Sequence, residues 1–170
     1  MLGFLFRGLT ASPARGAALF EAVTTQARRP IWYVEGGVPD TLDGRFAVLA
    51  TIAAMVVVRL EQLGEAGTAL SVALTERFIE VMESEHRELG LGDPTLGKTV
   101  RKLVGSLSRR TDVVRAAVAG AGDWREAATQ ILYKAAPDQA SLQAATARLE
   151  ELWARLARSD EASLAKGRIA

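Results

Sequence analysis

Residues 92–99 spell a phosphate-binding pattern. The sequence GDPTLGKT matches G-x-x-x-x-G-K-[ST], in which backbone amides hold nucleotide phosphates and the lysine, here Lys98, reaches the terminal phosphate groups. That chemistry needs a buried strand before the loop and a helix after it. Here a charged helix end precedes the pattern, and Asp93-Pro94 is typical of a helix start. We therefore predict that the protein binds no nucleotide.

Two groups of carboxylates are candidates for acid–base chemistry. Three glutamates within residues 83–88 stand near His86, the single histidine of the chain. Asp40 and Asp43 flank Thr41. Charge runs of this kind are usually solvated helix ends and capped turns. The chain has no cysteine, which excludes disulfides and thiolate metal sites, and one histidine is too few for a multi-histidine zinc site. We therefore predict no catalytic residue, no metal and no cofactor, and hence not an enzyme.

A basic cluster follows the phosphate-like pattern. On a helix, its side chains form a positive strip suited to a ribosome, an anionic lipid surface or an acidic protein patch, although an ordinary charged outer face is the alternative. No aromatic residues are interleaved, so we expect no specific nucleic acid as a partner. The net charge of +1 adds no global attraction. The residues of the cluster are Lys98, Arg101, Lys102, Arg109 and Arg110.

Residues 1–12 form an apolar N-terminal segment that lacks the basic start of a secretory signal. The segment is expected to meet a membrane interface, to pack on the domain or to be disordered and flexible. The longest apolar run, residues 46–58, is too short to span a bilayer and indicates a buried helix. We expect a cytoplasmic protein, located at the inner face of the cytoplasmic membrane if it contacts lipid.

The secondary-structure elements that position these candidate residues are all predicted to be helices. Apolar residues recur at spacings of three, four and seven, and no strand alternation is present. We predict an all-α fold in which residues 13–170 form a single bundle of about six to seven helices, with a packed apolar loop near residues 29–42. The run at 46–58 is apolar all round, which predicts the central helix. The predicted helices span residues 13–28, 41–63, 70–89, 94–108, 111–119, 124–134 and 138–157.

Several phrases of the sequence resemble the ubiquinol–cytochrome c chaperone family. They are QARRPIWY at 26–33, GVPDTLDGRF at 37–46, RL at 59–60, RELGLGD at 87–93 and GK at 97–98. The resemblance covers residues 19–110, and the C-terminal helices 111–170 are less characteristic. The chain departs from the family where members usually carry an acidic D-x-D element (here residues 81–83), an F-Y-G-R phrase (here 107–110) and a histidine (here Thr51). We interpret the chain as a divergent bacterial-type member.

The resemblance implies a helper in the assembly of respiratory complex III, because mitochondrial members act on newly made cytochrome b. Cytochrome b or another complex III assembly component is then the expected partner. The alternative function is a peripheral membrane or ribosome adaptor that uses the basic helix face. The partner-binding candidates are Gln26, Arg28, Tyr33, Asp40, Arg45, Arg87, Glu88, Asp93 and Lys98.

The polar candidates allow a second interpretation. Arg28, Arg45 and Arg87 offer forked donors that suit the carboxylates or carbonyl groups of a partner. Equally, the arginines and aspartates can pair with one another inside the protein and hold the apolar loop in place. The sequence leaves these two interpretations open.

Overall fold

The computed structural model describes residues 13–88 and 93–169, which form eight α-helices and contain no strand. The all-α prediction is confirmed. The N-terminal segment 1–12 lies outside the described residues, so its expected membrane or packing contacts stay a prediction. No helix within the described ranges is long and apolar enough to cross a membrane.

Helix α3 (Leu42–Gln62) forms the centre of the fold, as its all-round apolar sequence predicts. Its N-cap is Thr41, whose hydroxyl accepts a hydrogen bond from the Gly44 amide at 3.2 Å. Of its 21 residues, 13 are buried. Thr51, where the family usually has histidine, is completely buried and donates its hydroxyl to the Ala47 carbonyl at 2.7 Å. No face of α3 is therefore left for solvent over most of its length.

Helices α1 (Pro13–Ala27) and α4 (Glu65–Glu88) pack on α3. The buried Phe78 ring of α4 lies 6.5 Å from the Phe20 ring of α1 and 6.1 Å from the Phe46 ring of α3, measured between centroids. A fully buried side chain of this size contributes about 1.5–3 kcal/mol to stability. Gly16 of α1 touches the backbone of Ala73 of α4 so closely that a Cβ atom would not fit. These contacts fix α1 parallel to α4.

The C-terminal half adds helices α5 (Asp93–Val118), α6 (Trp124–Leu132), α7 (Gln139–Leu156) and α8 (Glu161–Ala165), and α2 (Ile31–Val34) lies between α1 and α3. Aspartates cap α6, α7 and α8, and each carboxylate accepts a backbone N–H three residues ahead. Arg59 of α3 donates two hydrogen bonds, at 2.7 and 3.1 Å, to the Ser159 carbonyl before α8. The buried residues of all these helices form one core cluster.

Several boundaries differ from those predicted. The two helices predicted at 94–108 and 111–119 are one helix, α5, because no breaking residue separates them and the Thr111 hydroxyl donates to the Leu107 carbonyl at 3.0 Å. Helix α4 begins at Glu65, because Gly67 sits against the Leu60 backbone instead of breaking the chain. The short helices α2 and α8 were not predicted. The number of helices among the described residues is consequently eight, where six to seven were expected.

Candidate functional site

The connecting segment, residues 28–41 between α1 and α3, is anchored through its aromatic residues. The Trp32 indole donates to the Gln26 carbonyl at 2.9 Å, and the Tyr33 hydroxyl donates to the Ala27 carbonyl at 2.8 Å. Trp32 and Val38 are buried in the core. The prediction that this segment packs down is thus correct, although it contains α2 and is not a pure loop. Gln26 contributes to this anchoring mainly through its backbone carbonyl, which accepts the hydrogen bond from Trp32.

The C-terminal helices hold the connecting segment from the other side. The Tyr133 hydroxyl donates to the Gly36 carbonyl at 2.5 Å. The Lys134 ammonium lies 2.6 Å from the Asp43 carboxylate, and an Arg148 guanidinium nitrogen lies 4.0 Å from a Glu35 carboxylate oxygen. The conformation of the segment is therefore fixed by residues about 100 positions away in sequence.

Two large apolar side chains nevertheless point into solvent at this place. Val34 at the end of α2 is 79% exposed, and Leu42 in the first turn of α3 is 68% exposed. Single exposed apolar residues are common on protein surfaces. Here, Val34 lies within the connecting segment and Leu42 directly follows it, and contacts with the rest of the protein hold this segment in place. They are the most exposed of the large apolar residues in the described ranges, and they form a candidate contact surface for another protein.

Two partner-binding candidates on either side of Leu42 in the sequence form an ion pair. Arg45 Nε is 2.6 Å from Asp40 Oδ1, and the two side chains are 65% and 57% exposed. The hydrogen bond from Arg45 lowers the pKa of Asp40, and Asp40 in turn raises the pKa of Arg45. Burial raises the pKa of the Tyr33 phenol nearby. The internal pairing foreseen as an alternative is thus present for Asp40 and Arg45, but in a pair that solvent and a partner can both reach.

The remaining partner-binding candidates lie at the same end of the bundle. Helices α3 and α4 are antiparallel neighbours joined near Gly64, and α1 runs parallel to α4. The end of α1, the start of α3 and the end of α4 consequently meet at one end. This end includes Arg28, Arg87 and Glu88, which are all exposed.

The candidates at the α4–α5 junction take no part in the Asp40–Arg45 pair. Between Arg87 and either residue of that pair, no ion pair is seen in the described ranges. Asp93 begins α5, but its side chain is outside the description, so its predicted capping and partner contacts stay predictions. Residues 93–99 belong to helix α5, which leaves the phosphate-like pattern without the loop that nucleotide binding requires.

Four of the five residues of the predicted basic strip are exposed, and the fifth is half-buried. Lys98, Arg101, Lys102 and Arg109 are exposed, and Arg109 donates to the Gln130 carbonyl at 3.1 Å. Arg110 instead turns inward. Contact of the strip with a ribosome or a membrane surface stays a prediction.

Arg110 has a structural role. It lies 5.7 Å from the centroid of the Phe46 ring, contacts Ser106, and donates to the Ile131 carbonyl at 3.1 Å. Burial, with a smaller effect from Arg109, lowers its pKa to about 10. Arg110 points inward because, on helix α5, position 110 lies on the face of the buried residues 103 and 107 and not on that of the exposed residues 98, 101 and 102.

Several residues of this surface were not found from the sequence. Val34 and Leu42 fall within the apolar loop predicted near residues 29–42, but their exposure depends on how the segment is turned. Tyr133, Lys134 and Arg148 lie far along the chain, and no local signal connects them with residues 35–43. A phenol and two cations are able to hold residues 35–43 in place, but their residue types alone do not show that they do so.

The chain is similar to a solved structure and to a protein-family model. A crystal structure described as that of the Cbp3 homolog from Brucella abortus matches 100% of this chain and 96% of its own, with 24% sequence identity and a TM-score of 0.78. At that identity, the similarity establishes the fold. A comparison with curated proteins found no match. The family model described as ubiquinol–cytochrome c chaperone matches residues 34–170, which include α3 to α8 and most of the chain. The chain therefore belongs to the ubiquinol–cytochrome c chaperone family.

Proposed function

We propose that the protein is a non-enzymatic assembly factor for ubiquinol–cytochrome c reductase that binds newly made cytochrome b, or another component of the assembling complex, at the end of the bundle containing the connecting segment. Membership of the family supports the assembly role. The observation that carries the choice of surface is the exposure of Val34, at 79%, within a segment held from both sides, and of Leu42, at 68%, directly after it.

The chemistry of this surface suits a client with apolar and polar groups. Val34 and Leu42 supply apolar anchors whose positions are fixed before binding, so little conformational entropy is lost on association. The Asp40–Arg45 pair, on either side of Leu42 in the sequence, is exposed and can exchange its internal partner for a client carboxylate, amide or guanidinium. This combination holds and orients a client without chemical change. The proposed role requires access to the inner face of the cytoplasmic membrane, where such a client is inserted.

Site-specific photo-crosslinking tests the proposal. A photoreactive phenylalanine analogue replaces Leu42 in one variant, and replaces Ala154, an exposed residue on α7, in the control. Both variants are expressed in the native cells, irradiated, and purified with their adducts for mass spectrometry. We expect adducts with cytochrome b, or with another subunit of the reductase, at position 42 and not at position 154.

A second pair of variants separates binding from folding. Val34→Asp with Leu42→Asp removes both anchors at exposed positions, where substitutions usually change stability little. We expect the double variant to keep its helical spectrum and melting temperature but to lose capture of the client. Equal crosslinking at positions 42 and 154, or no reductase component at position 42, would contradict the proposed surface.

A further inference from the structure

Helices α4 and α5 form an antiparallel hairpin with a groove along it. Thr75 lies 13 residues before Glu88, the end of α4, and Val104 lies 11 residues after Asp93, the start of α5. Both residues line the same groove, so the two helices lie side by side at matching distances from their connection. Glu83 and Lys98 are each five residues from the connection and therefore lie at the same level of the hairpin.

The groove has both apolar and polar walls. It has a volume of about 220 Å³; Val57 of α3 and Leu107 of α5 supply apolar side chains, and Glu61, Asp112 and Arg115 supply charged ones. The hydroxyls of Thr75 and Thr111 donate to the Ser71 and Leu107 carbonyls of their own helices, so these two side chains add little free hydrogen-bonding capacity to the groove. Val104 lies at the rim and is 42% exposed. The hairpin thus carries an apolar side chain that protrudes and, beside it, a depression with a partly apolar wall.

Charges of opposite sign follow the two helices. The basic row of α5 consists of Lys98, Arg101 and Lys102, which are exposed, and the acidic row of α4 consists of Glu76, Glu80 and Glu83, which are half-buried or exposed. Among the described residues, no ion pair crosses from one row to the other; Glu80 pairs only with Arg77 of its own helix, at 3.2 Å. At the far end of the groove, Arg115 is already neutralised by Glu61 and Asp112.

Each row brings like charges close together in the isolated chain. Glu76 and Glu80 of α4, and Lys98 and Lys102 of α5, are four residues apart on their helices. Like charges at this spacing on one helix repel each other. Opposite charge brought from outside relieves this repulsion for both rows together.

We propose that a second copy of this chain occupies this surface, related to the first by a two-fold axis. Val104 of each copy enters the groove of the other, and the basic row of each copy faces the acidic row of the other. A two-fold interface requires a patch that is complementary to itself. The α4–α5 hairpin meets that requirement because it has a protruding side chain and a depression, and a cationic and an anionic row.

The charge pattern favours a second copy over a uniformly anionic partner. A nucleic-acid or anionic lipid surface attracts the basic row but repels the acidic row on the same hairpin. A second copy satisfies both rows. This inference does not rest on the proposed client surface, since Val34 lies in the connecting segment and Leu42 begins α3, and neither belongs to the α4–α5 hairpin.

Sedimentation of the full-length chain tests the proposal. We expect a dimer at about 100 µM protein in about 50 mM salt, and its dissociation constant should rise at least tenfold in about 500 mM salt, where exposed charges are screened. Reversal of the basic row (Lys98→Glu, Arg101→Glu, Lys102→Glu) should abolish the dimer, as should reversal of the acidic row (Glu76→Lys, Glu80→Lys, Glu83→Lys). Val104→Glu should also abolish it, because a carboxylate then meets the apolar wall of the groove, formed by Val57 and Leu107.

Mixing the two reversed variants provides the decisive arm. In the first variant both rows are acidic, and in the second both rows are basic, so each variant alone is expected to be monomeric. The mixture should form a heterodimer, because opposite charges then meet only across the interface. The control reverses three cations near the C-terminus, Arg158, Lys166 and Arg168, and should leave the dimer intact. Circular dichroism shows that each variant is folded. A wild-type chain that stays monomeric, a dimer that survives all three changes, or vesicle binding in place of self-association overturns the proposal.

Discussion

The hydroxyl of Tyr133 lies 2.5 Å from the carbonyl oxygen of Gly36 and thereby joins the end of α6 to the connecting segment, across 97 positions of sequence. Gly36 is buried, so its carbonyl has no ready replacement donor in water. Tyr133→Phe should lower the free energy of unfolding by about 1–2 kcal/mol, since it leaves a buried acceptor without its hydrogen bond. Urea unfolding checks this, and an unchanged midpoint would contradict the anchoring role of Tyr133.

The same phenol predicts a loss of stability in alkali. Burial raises the pKa of Tyr133 to about 12, whereas tyrosine in an unfolded chain has a pKa of about 10. The folded state therefore retains a proton that the unfolded state releases, and the stabilisation is complete below about pH 10 and lost as the pH rises to about 12.

Comparison of the wild-type protein with Tyr133→Phe isolates this effect. The difference in unfolding free energy between them should shrink between about pH 9 and about pH 11.5. Arg110, whose lowered pKa of about 10 acts in the opposite direction, contributes equally to both proteins and cancels. A difference that stays constant over this range would show that the phenol ionises equally in both states.

Arg110 should matter more for stability than its neighbour Arg109. Arg110→Ala removes the hydrogen bond to the Ile131 carbonyl and the contact with the Phe46 ring, and should cost about 2–3 kcal/mol. Arg109→Ala removes one hydrogen bond at an exposed position and should cost much less. Urea unfolding of both variants checks the contrast, and equal losses would contradict the inward position of Arg110.

Two helical glycines should respond oppositely to alanine. In an exposed helix interior, Gly→Ala stabilises by up to about 1 kcal/mol, and Gly105→Ala should do so because its surroundings are open. At Gly44, a Cβ atom would collide with the Pro39 carbonyl, so Gly44→Ala should lower the melting temperature by displacing residues 38–40. Thermal unfolding of the two variants checks the signs, and stabilisation by Gly44→Ala would contradict this close approach.

Arg45→Ala separates structural support from partner binding. Because the Asp40–Arg45 pair is exposed, it adds little to stability, and the melting temperature should stay within measurement error of the wild type. Client capture by the crosslinking assay at position 42 should fall clearly. Unchanged capture, with a lowered melting temperature, would assign the pair to folding alone.

Local patterns predicted most of the helices and the central position of α3. Thr41, Asp138 and the apolar periodicity are signals within one or two turns of chain, and the structure follows them. The join at residues 109–111 was missed because two arginines look like a solvated turn, whereas Arg110 is satisfied by contacts with α6 and Phe46.

The candidate site was less accessible to sequence reasoning. Asp40 and Arg45 were among the arginines and aspartates expected to pair inside the protein as one alternative, and they form an ion pair in the structure. The exposure of Val34 and Leu42 could not be read from the sequence, because it depends on contacts with Tyr133, Lys134 and Arg148 in distant helices. Assignment of the partner-binding residues stays a prediction.

The burial of α3 on nearly every side has a consequence for amide hydrogen exchange. Backbone amides of residues 47–60 should exchange with deuterium only when the whole protein unfolds, and should report its global free energy. The connecting segment contains only one turn of helix, and most of its residues are exposed, so its amides should exchange through local openings of much lower free energy. The segment that carries Val34 can then open briefly and close again to its anchored conformation while the central helix stays closed.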